Sequence, residues 1–311
     1  MIERIEELMK HDTAGDPMSG LKWTCRTTAK VAAELRSVGI AVSDRTVAKL
    51  LKKMGFSLRV NHKKLSGRVH PDRDAQFTRI AELRERCAVD DLPIISIDTK
   101  KKELLGNFKN PGVTWVREPV LVSDHDFRSE ADGIAVPYGI YDIHANTGTL
   151  FVSTSSDTPG FAVDCVEKWW RTEGRKRYSN AKCLAILADG GGSNASASRA
   201  WKFGLQHQLC DRHGLSVTVA HFPTGASKWN PIEHRFFSEL SKNWAGRPLD
   251  CLETILHYAR TTTTTTGLRV KAHLVRRRYK KGVKITDDQM RDLSICKDDT
   301  LPRWNYTIEP A

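Results

Sequence analysis

The chain has 311 residues, of which 40% are hydrophobic and 28% are charged. It is therefore long enough for two domains and apolar enough to bury a sizeable core. No apolar run is long enough to span a bilayer, and the charged first segment, MIERIEELMKHD, lacks the apolar stretch of a signal peptide. We expect a cytoplasmic protein.

The positive charge of the chain is concentrated in two blocks. The net charge is +12. Residues 20–70 carry twelve Lys or Arg against two acids, Glu34 and Asp44, and residues 261–286 carry eight Lys or Arg and no acid. A solvated basic surface is the plainer interpretation, but two separate basic blocks favour a nucleic acid as the partner.

The first basic block has the pattern of two short helices joined by a tight turn. Thr27 or Thr28 can cap a helix through AKVAAELRSV that ends at Gly39, and Ser43 can cap a second helix, DRTVAKLLKKMG, that ends at Gly55. Such a pair forms a helix-turn-helix, and the alternating basic stretch FSLRVNHKK after it is typical of a wing. The sequence thus predicts a winged helix-turn-helix DNA-binding domain over residues 1–69.

The second helix of such a motif enters the major groove of DNA. Its exposed side is basic here and offers Arg45, Lys49, Lys52 and Lys53. Arg45 lies near the start of the helix, where base edges are read, whereas Lys52 and Lys53 lie further along, where phosphates are held. Any two-helix hairpin could share the apolar pattern, so the prediction depends on the glycines and the charge.

Residues 70–90 carry one apolar stripe at helical spacing and are predicted to form a connecting helix. After them, strand-like runs alternate with amphipathic helices. The runs PIISID, KCLAILAD and LSVTVAHFP predict strands, and IAVPYGIYDIHANTGTLFVSTSS predicts a hairpin with its turn at Ala145 to Gly148. A helix is predicted from Asn230, and another over CLETILHYARTTTTTTG. No element is predicted beyond residue 286.

This order predicts an α/β domain over residues 91–311. It is compatible with a mixed sheet flanked by helices, as in ribonuclease-H-like folds, although other α/β sheets share the order. The chain is thus predicted to contain two domains of different structural class, with a small all-α helix-turn-helix domain before the α/β domain.

Three acids lie at the ends of predicted elements. Asp98 ends one strand, Asp189 ends another, and Glu233 lies in the first turn of the helix that begins at Asn230. Because sites gather at the carboxyl ends of strands in α/β sheets, we expect these carboxylates to meet. Each acid could instead have a purely structural role. Asp98 and Asp189 could begin turns after their strands, and Asn230 and Glu233 have the spacing of a capping box at the start of a helix.

A carboxylate cluster in a basic chain suits phosphodiester chemistry. Two Mg²⁺ ions about 4 Å apart can activate the attacking oxygen and stabilise the leaving one. Mg²⁺ prefers oxygen ligands, so a few carboxylates suffice to hold it, and Mn²⁺ can substitute. We therefore interpret Asp98, Asp189 and Glu233 as catalytic residues and as the ligands of two metal ions.

Several long stretches resemble the bacterial insertion-sequence DDE transposases of the ISAzo type, the Rhodopirellula-type transposase family. They span residues 15 to 308: GDPMSGLKWTCRTTAKVAAEL, HPDRDAQF, ISIDTKKKELLGNFKN, PYGIYDIHANTG, ILADGGGSN, HFPTGASKWNPIEHRFFS and WNYTI. The resemblance implies a ribonuclease-H-like catalytic domain behind a helix-turn-helix, and binding to the terminal inverted repeats of a mobile element. It places the acidic triad of the family on Asp98, Asp189 and Glu233. The chain starts close to the first matched motif, which leaves open the loss of a further upstream DNA-binding helix pair.

Other residues near these motifs are candidates for DNA contact. Lys100, Lys101 and Lys102 follow Asp98 and are predicted to hold phosphates. Trp229 could stack on a base, although a buried tryptophan is the commoner case. Asp142, in the predicted hairpin, is an alternative metal ligand, with a turn role favoured.

The sequence predicts an insertion-sequence transposase that binds element ends and target DNA, cleaves DNA and transfers strands to a 3′-hydroxyl. Joining two ends favours a homodimer. A non-catalytic DNA-binding regulator derived from a transposase is the alternative function. A nuclease for RNA–DNA hybrids is a third, disfavoured by the helix-turn-helix.

Overall fold

The structure is a computed structural model that describes residues 2–3, 5, 13–15, 22–24, 27–56 and 70–311, with the backbone alone for 13–15, 22–24 and 227. The chain divides into two compact units, Met1–Leu65 and Ser66–Ala311. Among the helices within the described ranges, none combines the length and the apolar character that crossing a membrane requires.

The first unit contains the two predicted helices. They are α1 (Thr28–Ser37) and α2 (Asp44–Lys53), preceded by a short antiparallel pair of strands, β1 (Thr13–Gly15) and β2 (Lys22–Thr24), that the sequence pattern did not predict. Thr27 caps α1 and Ser43 caps α2: each hydroxyl accepts a backbone N–H from three residues further on, at 3.2 Å. These contacts satisfy N–H groups that the first turn leaves without partners.

Glycines end both helices of the first unit. Gly39 and Gly55 have φ of +84° and +85°, a backbone conformation that other residues adopt at a cost. The helices pack through a small apolar cluster of Ile5, Val31, Ala32, Leu35 and Val47, with Leu50, Leu51 and Met54 against it. The predicted wing after α2 lies outside the described residues, apart from Phe56.

The second unit is built on a nine-stranded mixed sheet. Its strands are β3 (Ile94–Thr99), β4 (Glu103–Leu105), β5 (Gly133–Asp142), β6 (Thr147–Ser153), β7 (Cys183–Ala188), β8 (Ser216–His221), β9 (Arg269–Val275), β10 (Ile295–Lys297) and β11 (Asn305–Ile308). Their order across the sheet is β10-β11-β8-β7-β3-β5-β6-β9, and β4 pairs with β5. The predicted α/β class, a mixed sheet flanked by helices, is confirmed.

Strand direction determines which ends meet. β3, β7 and β8 are mutually parallel, β5 is antiparallel to both β3 and β6, and β9 is parallel to β6. Consequently β3, β6, β7, β8 and β9 all end at one edge of the sheet, which we call the carboxyl edge. β5 ends at the opposite edge.

Helices cover both faces of this sheet. They are α3 (Arg73–Val89), α4 (Pro159–Trp169), α5 (Arg199–Leu205), α6 (Ser238–Asn243), α7 (Leu252–Arg260) and α8 (Asp287–Arg291). α4 and α5 continue through π-helical turns, Trp170–Gly174 and Gln206–Cys210, and a third π-helical turn, Glu233–Phe237, leads into α6. One core lies under α4 and α5, and two further cores lie on the other face under α6 with α7 and under α3.

The helix predicted as a connector corresponds to α3 and packs within the second unit. Its side chains Ile80, Leu83 and Cys87 are buried against Leu187 and Ala220 of the sheet. An amphipathic helix gains most of its stability from such packing. α3 is therefore a layer of the α/β unit.

Three features differ from the sequence prediction. The hairpin turn occupies residues 143–146, because Asp142 pairs with Thr147 and Asn146 takes the positive φ of +49° that Asn tolerates. α7 ends at Arg260, before the threonine tract, in keeping with the poor helix propensity of β-branched residues. The tail beyond residue 286 adds α8, β10 and β11, and β11 pairs with β8.

Candidate active site

The alternation of side chains along β3 and β7 places two acids on one face. Ile97 of β3 and Ala188 of β7 both belong to the core under α4 and α5. The next residues, Asp98 and Asp189, therefore point to the other face. Since Ile97 pairs with Ala188 in the parallel register, the two acids are neighbours at the carboxyl edge.

A missing side chain on β5 lets the Glu233 turn approach the sheet beside Asp98. Gly139 is the cross-strand partner of Asp98. A Cβ atom at Gly139 would clash with the ring of Phe237 and lie 2.9 Å from Ile232 Cδ1. These two apolar residues flank Glu233, so the glycine allows the turn that carries Glu233 to lie against the strand next to Asp98.

Ser96 and Asn230 form a second connection between β3 and this turn. The Ser96 hydroxyl donates to Asn230 Oδ1 and accepts the backbone N–H of Ile232 at 3.2 Å, and both polar side chains are 0% exposed. Asn230 was expected to cap its own helix, but it directs its side-chain oxygen at Ser96. The backbone carbonyl of Asn230 accepts the N–H of Glu233 at 3.1 Å.

The pKa of Asp98 reflects an electrostatically crowded site. Burial and the charges of Asp189, Glu233 and Asp157 together raise this pKa from the usual value to about 7, against the stabilising backbone N–H of Thr99. A carboxylate in a poorly solvated pocket with like charges nearby favours its neutral form. Asp98 therefore interacts with each of the other three acids.

The other two predicted ligands are perturbed in the same direction. Burial raises the pKa of Asp189, against a backbone N–H of Gly190 that favours the charged form. Burial also raises the pKa of Glu233, with Lys100 opposing and the charge of Asp189 adding to the effect. Asp98, Asp189 and Glu233 thus form one electrostatic unit.

The donor chemistry of this unit fits a divalent cation. The side chains of its three acids offer carboxylate oxygens, which Mg²⁺ prefers, and a cation would relieve the repulsion between them. Within the described ranges, no three Asp, Glu, His or Cys side chains are close enough to hold one ion. Oδ1 of Asp98 and of Asp189 instead accepts the N–H of the following residue, at 2.7 and 2.6 Å.

Asp157 is an acid near the site that the sequence analysis missed. It lies in the loop between β6 and α4, and its Oδ1 accepts the Thr99 hydroxyl at 3.1 Å. In the sequence it resembles an ordinary turn residue before the Thr158 helix cap. The available signal was topological, since β6 ends at the same edge as β3.

Lys100 differs from the expectation of a phosphate contact. Its side chain is buried: Nζ lies 2.6 Å from Glu103 Oε1 and 4.5 Å from the centre of the Trp244 ring. A surface contact to DNA is incompatible with this placement, which satisfies the ammonium internally. Lys101 and Lys102 are exposed.

The remaining candidates lie in different places. Trp229 is 43% exposed and packs edge-on against Phe77, at 5.5 Å between ring centroids. Asp142 lies at the opposite edge, where it is buried and bonded to Arg177 and to the Tyr178 hydroxyl, so it is remote from the other acids. Arg45, Lys49, Lys52 and Lys53 are exposed on α2.

The family of the chain follows from its match over residues 4–310 to the family described as Rhodopirellula transposase DDE domain. The chain belongs to this family and so to the DDE transposases, enzymes that cleave DNA and transfer its strands. Among curated proteins, none matches the chain.

Solved structures of the Mos1 mariner transposase are similar to part of the chain. The Mos1 paired-end complex with the left transposon end has 14% sequence identity and a TM-score of 0.47, covering 83% of this chain and 69% of that one. The Mos1 strand transfer complex has 14% identity and a TM-score of 0.44, covering 83% and 68%. Other Mos1 paired-end complexes were solved with Mn and with Mg.

Proposed function

We propose that this transposase binds the terminal inverted repeats of a bacterial insertion sequence and uses Asp98, Asp189 and Glu233 to hold two Mg²⁺ ions for strand cleavage and transfer. The observation that carries this proposal is the adjacency of Asp98 and Asp189 in the β3–β7 register, with the Glu233 turn seated on Gly139 beside them. Two ions at such a site supply activation of the attacking oxygen and stabilisation of the leaving one.

The residues around the three acids have supporting roles in this proposal. Ser96 and Gly139 fix the approach of the Glu233 turn to β3. The positive charge of Lys100, held within the protein, lowers the pKa of Glu233 and so opposes the effect of burial. The attacking group is water in the cleavage step and a DNA 3′-hydroxyl in the joining step, so the same acids serve both.

We assign recognition of the element ends to the first unit and chemistry to the second. The exposed Arg45, Lys49, Lys52 and Lys53 of α2 would meet the major groove and its phosphates. Lys101, Lys102 and the exposed part of Trp229 are candidates for contacts to target or flanking DNA. Because transposition brings two ends together, we propose a homodimer as the active form.

The test uses a plasmid that carries the ends of the element, with Mg²⁺ or Mn²⁺. Wild type should nick at the ends, and Asp98→Asn, Asp189→Asn and Glu233→Gln should each abolish nicking while retaining DNA binding. Asp124→Asn is a matched control, because this carboxylate is 92% exposed and outside the proposed site. Nicking by all three variants at the wild-type rate would overturn the assignment of the ligands.

A further inference from the structure

The segment that follows β9, residues 276–284, is the most basic nine-residue stretch in the sequence of the second unit. It has the sequence RRRYKKGVK, with six Lys or Arg among nine residues and no acid. We propose that the 276–284 segment binds the phosphate backbone of duplex DNA immediately beside the catalytic edge. This inference rests on the proposed function and assigns a substrate-binding surface to the same site.

The topology brings this segment to the carboxyl edge. β9 is parallel to β6 and the two strands end together, with Val275 paired to Ser153. Asp157, only a few residues beyond Ser153, contacts the Thr99 hydroxyl next to Asp98. The 276–284 segment therefore leaves the sheet at the carboxyl edge, where the strand that carries Asp98 also ends.

Tyr279 anchors the segment against the start of α4. Its backbone N–H donates to the Ser155 hydroxyl at 2.9 Å, and its own hydroxyl donates to Asp164 at 2.8 Å. Its ring packs on Phe161 with 5.3 Å between centroids. The backbone is thus held in place although no helix or strand is formed there, which positions the flanking basic side chains.

The basic side chains of the segment project into solvent. They are Arg276, Arg277, Arg278, Lys280, Lys281 and Lys284, and all are exposed. Within the described part of the chain, Arg277 is the one that pairs with an acid, with Nη1 2.7 Å from Asp164. The other five positive charges have no acidic partner among the described residues, so their charge is available to a polyanion.

The shape and spacing suit a nucleic acid backbone. A groove of 470 Å³ runs beside the segment and is lined by Thr154 and Ser155 at the end of β6, by Leu252, Leu274 and Val275, and by Arg276, Arg277 and Arg278. Nine residues extend over at most about 30 Å. That is close to one turn of B-DNA, roughly 34 Å. Basic groups at this density can match several consecutive phosphates.

The segment suits phosphates better than unstacked bases. Its aromatic residue, Tyr279, is engaged on both its ring and its hydroxyl, and the Arg277 guanidinium lies 5.4 Å from the ring centre. Single-strand sites stack bases on free aromatic rings. Phosphate contacts position a duplex without reading its sequence, as strand transfer into a target requires.

The experiment compares two triple variants of the full chain that lose the same charge. Arg276→Ala/Arg278→Ala/Lys280→Ala removes charge from the segment and leaves the Arg277 pair intact. Arg175→Ala/Lys176→Ala/Lys182→Ala removes exposed charge from the opposite edge, where α4 ends and β7 begins. Binding to a blunt duplex of arbitrary sequence is measured in EDTA between about 50 and 200 mM NaCl, where phosphate contacts set the salt dependence.

Log K decreases as log salt increases, and we expect this dependence to become shallower in the segment variant. The slope should be less negative by up to about 2.7, since each phosphate contact contributes about 0.9. The opposite-edge variant should keep the wild-type slope. Equal slopes for the two variants overturn the proposal. If the triple variant does not fold, Arg278→Glu serves as a second variant, and we expect it to bind the duplex more weakly than wild type. Binding as strong as that of wild type by Arg278→Glu also overturns the proposal.

Failure of this inference and failure of the proposed function give different results. If wild type nicks its element ends while both triple variants bind DNA alike, the catalytic assignment is supported and the DNA-binding role of the 276–284 segment is contradicted. Wild type that never nicks, but whose binding depends on the segment and not on the opposite edge, supports the segment and contradicts the proposed catalysis.

Discussion

The Ser96 hydroxyl joins the strand that carries Asp98 to the turn that carries Glu233, because it binds the Asn230 side chain and the Ile232 N–H together. Ser96 lies two residues before Asp98 on the same face of β3. A single buried hydroxyl thus sets the spacing between two acids that are 135 positions apart in the chain.

Ser96→Ala should therefore disturb the site as well as the fold. It leaves Asn230 without its partner in a fully buried position, which should cost about 1–3 kcal/mol of unfolding free energy. We expect the Mg²⁺ concentration for half-maximal nicking to rise. Thr149→Val is the control, because it also removes a buried hydroxyl bond, to Glu173 at 3.0 Å. Thr149→Val should lose a comparable amount of stability but keep the wild-type Mg²⁺ concentration for half-maximal nicking. If Ser96→Ala also keeps the wild-type Mg²⁺ concentration, Ser96 has a structural role only.

Gly139→Ala should push the Glu233 turn away from β5. The new methyl group would meet the Phe237 ring and Ile232, so we expect overpacking of about 1–3 kcal/mol and a loss of nicking. Gly133→Ala on the same strand is the control, because its Cβ would meet Leu105 at an ordinary 3.5 Å. Thermal unfolding and nicking should both distinguish the pair. Full activity of Gly139→Ala would show that the close approach is dispensable.

Asp98→Asn should stabilise the metal-free protein in a pH-dependent way. The pKa of Asp98 is raised from 3.8 to about 7 in the folded state. The folded protein therefore keeps a proton that the unfolded chain loses, and stability falls as pH rises from about 4 to 7. Asparagine lacks this titration. In EDTA, the gain in melting temperature from Asp98→Asn should be larger at pH 8 than at pH 5.

The exposed Asp124→Asn substitution is the matched control, because it removes a carboxylate that lies outside the proposed site. Adding Mg²⁺ at pH 8 should raise the melting temperature of wild type and leave Asp98→Asn unchanged, because a ligand that binds only the folded state stabilises it. A gain from Asp98→Asn that is equal at both pH values would argue against a buried, crowded carboxyl at this position.

Asp142→Ala should destabilise the second unit without a specific effect on chemistry. The Asp142 carboxylate is fully buried and accepts bonds from Arg177, from the Tyr178 hydroxyl at 2.9 Å and from the Ala145 N–H at 3.0 Å. Removing one partner of a buried ion pair costs about 3–5 kcal/mol. Denaturant unfolding measures this loss. Nicking per folded molecule, at a temperature where the variant is folded, should match wild type, and a selective loss of nicking would restore Asp142 as a ligand candidate.

The sequence predicted the strand ends at Asp98 and Asp189 because a buried strand is a short apolar run, and the first polar residue after it marks the edge of the sheet. The caps at Thr27 and Ser43 were predictable for a similar reason, since they depend on residues within one helical turn. These are local signals, and the structure agrees with them.

Non-local contacts were not predictable in the same way. Nothing near Asp157 shows that β6 ends at the same edge of the sheet as β3. The need for glycine at position 139 depends on Phe237, far along the chain. The tail strand β11 belongs to the sheet only because it pairs with β8. The burial of Lys100 was missed because Glu103 and Trp244, which satisfy its charge, become neighbours only in the folded protein.

The π-helical turn that begins at Glu233 sets which side chains of the following helix face the sheet. Such a turn holds one residue more than an α-helical turn, and it places both Phe236 and Phe237 against glycines of the sheet, Gly148 and Gly139. Deleting one residue would give a more regular helix but would rotate everything after it by about 100°. The phenylalanines and Glu233 could then no longer face the sheet together. The number of residues in this turn is therefore constrained by the packing of the phenylalanines as well as by Glu233.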